Sequence, residues 1–373
     1  MNVLQKTKTD WNELVHQIGP DFESLAQQKD HHDTFVYENY DRLKQHNFFS
    51  AMITEELGGA GLSYVQNCHL IKTLATYCSS TALAFSMHQH LVAASLWKYK
   101  NKGVGKELLK KIVNEQLILI STGAKDWLSS NGDLERIKGG YLFSAKKHFA
   151  SQSEIGDIAV TSAPYLNEAG NWEVLHFSVP MHAEGVSVGN DWKVLGMRAT
   201  GSHTIHFEQV FIPESSIALR RPRGEYHPVW NLVLGVAMPL IMSAYVGIAE
   251  KAREIAITYA QKQPNDYTSL LIGRLNNSYM SAVTQWKAMY ALNNNLAFTP
   301  NENMTVQMLS LKTNVAEACK QVVNDAMDVV GGAGFYRKNT LERLFRDVQA
   351  SHFHPLPKWK QYGFTGNWIL KQI

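Results

Sequence analysis

The chain has 373 residues, 45% of them apolar and 18% charged, so it can bury a large core without metal or disulfide staples. Its formal charge of +3 comes from scattered Lys/Arg and Asp/Glu, which excludes the basic stripe that a nucleic-acid partner requires. The three cysteines Cys68, Cys78 and Cys319 lie far apart without a CxxC pair, the pattern of buried free thiols rather than a zinc site or disulfide framework.

The opening MNVLQKTKTDWNELVHQ carries early charges and no apolar run of signal-peptide length. The later apolar stretches read as too short to span a bilayer, so a cytoplasmic protein that avoids membranes is expected. From about residue 10 to 115 apolar residues recur at helical spacing, as in LIKTLATYCSSTALAFSMHQHLVAASLWKY, which predicts a helical domain over residues 1–116. One Gly-rich break interrupts it at Glu56-Leu57-Gly58-Gly59-Ala60-Gly61. Near Leu117 the texture changes to short β-branched runs: LILIST, GYLFSAKKHFA, IGDIAVTSA, VLHFSVPM, GVSVGNDW and HTIHFEQVFI. Six or seven strands in succession predict a small antiparallel sandwich or barrel over residues 117–222. Long helical patterns then return, among them PLIMSAYVGIAEKAREIAITYAQK and MLSLKTNVAEACKQVVNDAMDVV, and predict a helical bundle over residues 223–373. The result is an α+β multi-domain chain, an uncommon order because most domains keep one layer type.

The segment from Val179 to Pro213, VPMHAEGVSVGNDWKVLGMRATGSHTIHFEQVFIP, resembles the middle-domain signature of the acyl-CoA dehydrogenases. Three further stretches agree with that family. Glu55-Glu56-Leu57-Gly58-Gly59-Ala60-Gly61 resembles its P-E-E-x-G-G loop, GGAGFYRKNTLERLFRDVQA its G-G-x-G-Y…R-x-x-R-D turn, and Lys147-His148-Phe149-Ala150-Ser151 its K-x-[W/F]-I-[T/S] flavin-contact strand. The resemblance implies an N-terminal helical domain, a middle β-sandwich or barrel and a C-terminal four-helix bundle, assembled as a homodimer or homotetramer around FAD. It further implies that Phe149 lies against the isoalloxazine and that the Ser151 hydroxyl reaches its N5, with Thr200 and Ser202 bonding the cofactor or its neighbours. Gly331, Gly332 and Gly334 would let backbone amides approach a pyrophosphate or adenosine without a Cβ in the way.

The family's dehydrogenases also need a glutamate to take an α-proton from the thioester. Counting nine residues from Arg346 reaches Pro355, and alignment of the alternative position on Pro239 and Gly247 reaches Ala237, so neither site can accept a proton. Ser351-His352-Phe353-His354-Pro355-Leu356-Pro357 stands at the first position instead, and it resembles the flavin-dependent monooxygenases that share this fold. In those enzymes a separate reductase supplies reduced flavin, FAD or FMN, and histidines from this region and from the N-terminal domain handle protons. His352 and His354, with His88 and His90 of Met87-His88-Gln89-His90, are therefore the candidate catalytic residues; no metal site is expected.

Two losses point the same way. Gln263 stands where the family places an arginine on the FAD pyrophosphate, which weakens flavin retention. Ser121-Thr122-Gly123-Ala124-Lys125-Asp126-Trp127 replaces the T-E-x-x-x-G-S-D loop of flavin-edge and acyl-CoA contacts. The expected function is a flavin-dependent monooxygenase acting on a small organic substrate. The alternatives are an acyl-CoA dehydrogenase or oxidase with a non-standard base, and a non-catalytic flavin or acyl-CoA binding protein.

Overall fold

The computed structural model describes residues 9–122, 126–262 and 264–372. Five helices come first: α1 (Trp11–His31), α2 (Tyr37–Gln45), α3 (Tyr64–Tyr77), α4 (Ser79–Lys102) and α5 (Lys106–Glu115). Local chemistry marks their starts. Asp10 accepts the N–H groups of Asn12 and Glu13 at the head of α1, and Ser63 and Gln66 form a reciprocal capping box at the head of α3. α4 runs through the middle of the molecule and buries residues all round, so Ser86, His88, Gln89 and His90 are buried with its apolar side chains.

The strands among the described residues are β1 (Leu119–Ser121), β2 (Asp133–Ile137), β3 (Gly140–Lys147), β4 (Ile158–Leu166), β5 (Trp172–Pro180), β6 (Val186–Val188), β7 (Ile205–Pro213) and β8 (Leu219–Pro222). They form two four-stranded sheets, ordered β1-β4-β5-β8 and β2-β3-β7-β6, over a core that includes Phe143, Phe177, Val179, Ile205 and Phe207. One pairing departs from the antiparallel expectation: β1 runs parallel to β4, with Leu119 opposite Ile158 and Ser121 opposite Val160. The chain between them makes β2 and β3 of the other sheet, and that long crossover is what a parallel pair requires. A bulge also breaks simple alternation. Register slips between Phe143 and Ala145 opposite β7, Gln209 takes a φ of 53°, and Phe207 and Val210 both face the core.

The remaining helices are α6 (Val229–Lys262), α7 (Asp266–Asn293), α8 (Glu302–Val330), α9 (Thr340–Asp347) and α10 (Lys358–Leu370). α6, α7 and α8 pack against one another, and the short α10 lies on α8. By length and composition α6 could cross a membrane, contrary to the expectation that no stretch is long enough. Yet 94% of its apolar window is buried, against α3, α4, α7 and α8, as befits a core helix. Pro239 inside α6 has no N–H for the Gly235 carbonyl, and Asn293 Nδ2 of α7 donates to that oxygen instead at 3.0 Å. Gly247 brings α6 onto α3 so closely that a Cβ would stand 2.2 Å from the Lys72 carbonyl oxygen.

The Arg346-Asp347 pair joins the three parts of the chain. Arg346 grips Asp30 of α1 through two bonds of 3.0 and 2.6 Å, Glu342 of α9 at 2.7 and 2.9 Å, and the Leu195 carbonyl at 3.1 Å. Asp347 accepts the Met197 N–H at 2.5 Å and the Ser79 hydroxyl, so the loop after β6 is held by α4 and α9 together. Gly196 fits beneath this contact, where a Cβ would lie 2.3 Å from the Arg346 carbonyl oxygen.

Candidate active site

Just beyond β3 the chain presents Phe149, 47% exposed, with its ring packed edge-on against Trp192 at 5.5 Å. Behind them runs a row of hydroxyls. Thr200 Oγ1 donates to the Met197 carbonyl at 2.9 Å, Ser202 Oγ lies 2.7 Å from Thr200 Oγ1, and Ser151 Oγ lies 2.8 Å from Ser202 Oγ. Since Thr200 spends its proton on the main chain, Ser202 donates to Thr200 and Ser151 donates to Ser202, which leaves the lone pairs of Ser151 at the end of the row to accept. A hydroxyl in that position can accept from an N–H, which suits the N5 edge of a reduced flavin. An exposed aromatic wall beside such a hydroxyl also suits the ring's flat face. These residues fit an isoalloxazine.

Lys147 of the same motif points inward. Its Nζ pairs with Asp126 at 2.8 Å and donates to the Asn131 carbonyl at 2.9 Å, all but excluded from solvent. It therefore anchors the end of the altered 121–127 loop, of which Gly123, Ala124 and Lys125 lie outside the described residues. Trp127 at that end stacks on Trp230 at 5.2 Å and meets Tyr226 and Phe364, so aromatic rings gather where the dehydrogenases are expected to hold acyl-CoA.

The four candidate histidines separate into distinct settings. His88 donates from Nε2 to the Phe49 carbonyl at 2.9 Å and accepts the Leu119 N–H on Nδ1 at 3.0 Å. Both nitrogens are spent on pinning main chain, and burial holds the ring down to about 4, so it stays neutral in the core. His352 stands against Lys320, with Nδ1 3.5 Å from Glu317, in a partly exposed ionic cluster on α8; burial and the Lys320 charge lower its affinity for a proton. His90 is buried on α4 and pushed down to about 4 by that burial, against which a bond to the Ser86 main chain one turn back acts in the opposite sense. His354 bonds Tyr245 Oη through Nε2 at 2.6 Å. Burial first, then the nearby Lys312 and His90, push it down to about 3. The fold thus brings His90 and His354 together and leaves His88 and His352 in other surroundings.

The two former base positions remain without acid: Ala237 is buried on α6 and Pro355 follows His354. Nearby carboxylates have partners of their own, Glu317 with Lys358 and His352, Glu154 with Tyr37 and His203, and Asp347 with Met197 and Ser79. Gly331, Gly332 and Gly334 form a 3-10 turn that packs on α8 and α9. Gly331 has a φ of 61°, and a Cβ there or on Gly332 would meet open space. Gln263 lies outside the described residues.

Two further residues belong to the site and were not singled out from the sequence, Tyr245 of α6 and Lys312 of α8. Lys312 had a legible signal, because it falls on the apolar stripe Met308, Leu309, Thr313, Ala316 and Cys319, where a charge needs a purpose. Tyr245 had none, being one aromatic ring in an apolar helix.

An exposed aromatic wall and a hydroxyl row beside the β layer, with two neighbouring imidazoles buried among the helices, are the features of a flavin-dependent oxidoreductase. The chain belongs to the acyl-CoA dehydrogenase family: that family's N-terminal domain matches residues 18–116 and its C-terminal domain residues 231–354. Among curated relatives, L-evernosamine nitrososynthase from Micromonospora sp. is 25% identical, over 91% of this chain and 85% of its own length. Among solved structures, nitrososynthase from Micromonospora carbonacea superposes with a TM-score of 0.86 at 22% identity, covering 97% of each chain. FMN-bound TdsC from Paenibacillus sp. A11-2, a dibenzothiophene monooxygenase, superposes at 0.83 with 18% identity and 98% coverage of each chain. At these identities the superpositions establish a shared fold.

Proposed function

We propose that the protein is a flavin-dependent monooxygenase that uses reduced flavin and O2 on a small organic substrate. One observation carries this reading: both positions that hold the dehydrogenase base are unable to take a proton, Pro355 and Ala237, while His354 adjoins Pro355 and has His90 near enough to lower its proton affinity. The nitrososynthase and monooxygenase relatives support it, and so do the rings packed around Trp127 in the expected acyl-CoA path.

When bound, the flavin supplies the two electrons that activate O2. Phe149 and Trp192 would hold its ring, Ser151 would bond its N5 edge through the row of Ser202 and Thr200, and Gly331, Gly332 and Gly334 would accept phosphate or adenosine. His90 and His354, both neutral at physiological pH, exchange protons with substrate in a setting from which burial excludes water. With Gln263 in place of an arginine, the flavin is FMN or FAD borrowed from a separate reductase. Cytoplasmic location and a homodimer or homotetramer complete the proposal; exposed Tyr267 and Leu270 on α7 and Trp359 on α10 supply apolar surface for assembly.

The test is turnover with a flavin reductase, NADH and 18O2 against a panel of small amines, phenols and thioethers. A product carrying one labelled oxygen supports the proposal. Bleaching of bound flavin by an acyl-CoA, with no oxygenated product, would establish a dehydrogenase with a histidine base. Neither response would establish a binding protein. His90→Ala and His354→Ala are each expected to lower turnover on the order of a hundredfold, the usual scale for a general acid or base. His352→Ala is expected to leave it near the wild-type rate.

A further inference from the structure

His354 sits on an irregular segment, yet an imidazole that handles protons needs one orientation and one tautomer. Two buried side chains from different helices converge on it. Tyr245 of α6 is fully buried, and its hydroxyl lies 2.6 Å from His354 Nε2. Lys312 of α8 is also buried, and its Nζ donates to the carbonyls of His354 at 3.2 Å and Leu356 at 2.7 Å, on either side of Pro355.

Burial and the nearby Asp347 and Cys319 raise the Tyr245 phenol well above its ordinary value, so it keeps its proton and has the imidazole to give it to. Nε2 is then the acceptor, and a neutral His354 carries its own proton on Nδ1. The groups facing His354 are Lys312 from α8, His90 from α4 and Tyr245 from α6. The two ionisable bases oppose a positive imidazole, and Tyr245 bonds the neutral ring.

We infer that Tyr245 and Lys312 are positioning residues that hold His354 as the Nδ1–H tautomer, so that it meets the substrate as a hydrogen-bond donor and leaves proton acceptance to His90. Lys312 fixes the main chain around the ring and Tyr245 fixes the ring itself. The inference rests on the reading of His354 as a catalytic residue. Its division of labour matches the surroundings of the two imidazoles: the Nε2 of His354 is already occupied by Tyr245, whereas His90 bonds the Ser86 main chain and keeps its other ring nitrogen to accept a proton.

The test uses the full chain without flavin, labelled with 15N-histidine, with the His354 signals assigned by their loss in His354→Gln. Wild-type protein is expected to show Nδ1 protonated and Nε2 as acceptor. Tyr245→Phe is expected to move the tautomer ratio by about fivefold to tenfold, the worth of one hydrogen bond. Lys312→Met is expected to speed amide exchange in residues 351–356 about tenfold, while Lys312→Arg, which keeps the donors, restores slow exchange.

A pH profile supplies a readout that mere scaffolding would not move. Burial brings the Lys312 ammonium down to about 8, so turnover of the flavin-loaded enzyme is expected to fall above that pH. In Lys312→Arg this alkaline limb disappears, because a guanidinium keeps its proton. An unchanged tautomer ratio in Tyr245→Phe, or an alkaline limb retained in Lys312→Arg, overturns the inference. If Lys312→Met does not fold, the arginine variant carries the test. Wild-type turnover in His354→Gln together with a shifted tautomer in Tyr245→Phe would sink the catalytic reading and leave the positioning intact.

Discussion

Replacing Arg346 by methionine tests whether the Arg346-Asp347 motif holds the domains together. The guanidinium is 13% exposed and makes five hydrogen bonds, reaching Asp30, which is 10% exposed, Glu342 at 20%, and the Leu195 carbonyl. Methionine fills most of the volume but strands Asp30 in α1 and Glu342 in α9 without a counter-charge. Removing one partner of a buried pair costs about 3–5 kcal/mol, and the residual solvent at these carboxylates favours the lower end, about 3 kcal/mol. A domain of 150–250 residues loses roughly 2–4 °C per kcal/mol and a longer chain less, so the melting temperature is expected to drop by about 5 °C. Differential scanning calorimetry measures this directly. Arg346→Lys keeps the charge without the two-pronged geometry and is expected to lose about half as much. Asp30→Asn combined with Arg346→Met is expected to recover part of the loss, because the more deeply buried of the two stranded carboxylates is then neutral and only the more exposed Glu342 keeps its charge. A melting temperature within about 1 °C of wild type in Arg346→Met, or a double mutant that loses the sum of both singles, would refute the reasoning.

Stability is also expected to fall in acid. His88 titrates at about 4 in the fold against 6.5 when unfolded, so the unfolded chain takes up the proton first. Its contribution is fully present above pH 6.5 and is lost as pH falls towards 4, about 3 kcal/mol at 1.4 kcal/mol per factor of ten. Urea melts between pH 7 and pH 4.5 check the direction, and His88→Gln should flatten the slope. Lys147→Met strands the buried Asp126 carboxylate and is expected to cost about 3–5 kcal/mol, measured as a shift in urea midpoint. Phe149→Ala removes the exposed ring that packs on Trp192 and is expected to weaken flavin binding by about tenfold; fluorescence titration with FMN and FAD decides it. Gly196→Ala forces a Cβ to within 2.3 Å of the Arg346 carbonyl oxygen and is expected to destabilise by about 1–3 kcal/mol, again by calorimetry.

Sequence by itself determined the succession of helices, strands and helices, because apolar periodicity is local and survives without knowledge of the neighbours. It also determined that the base positions are empty of acid, since Pro355 and Ala237 hold no titratable group in any fold. The Phe149-Ala150-Ser151 run and the Thr200-Gly201-Ser202 run were legible as motifs for the same local reason. Tertiary structure alone decided which histidines meet. His88 and His90 are two residues apart on one helix, yet one spends both nitrogens on main chain while the other faces His354 from a distant part of the chain. It also decided that α6 is a buried core helix, that β1 pairs parallel with β4, and that Tyr245 and Lys312 enclose His354. Each of these depends on long-range contacts, and burial, hydrogen-bond partners and neighbouring charge exist only once such contacts have formed.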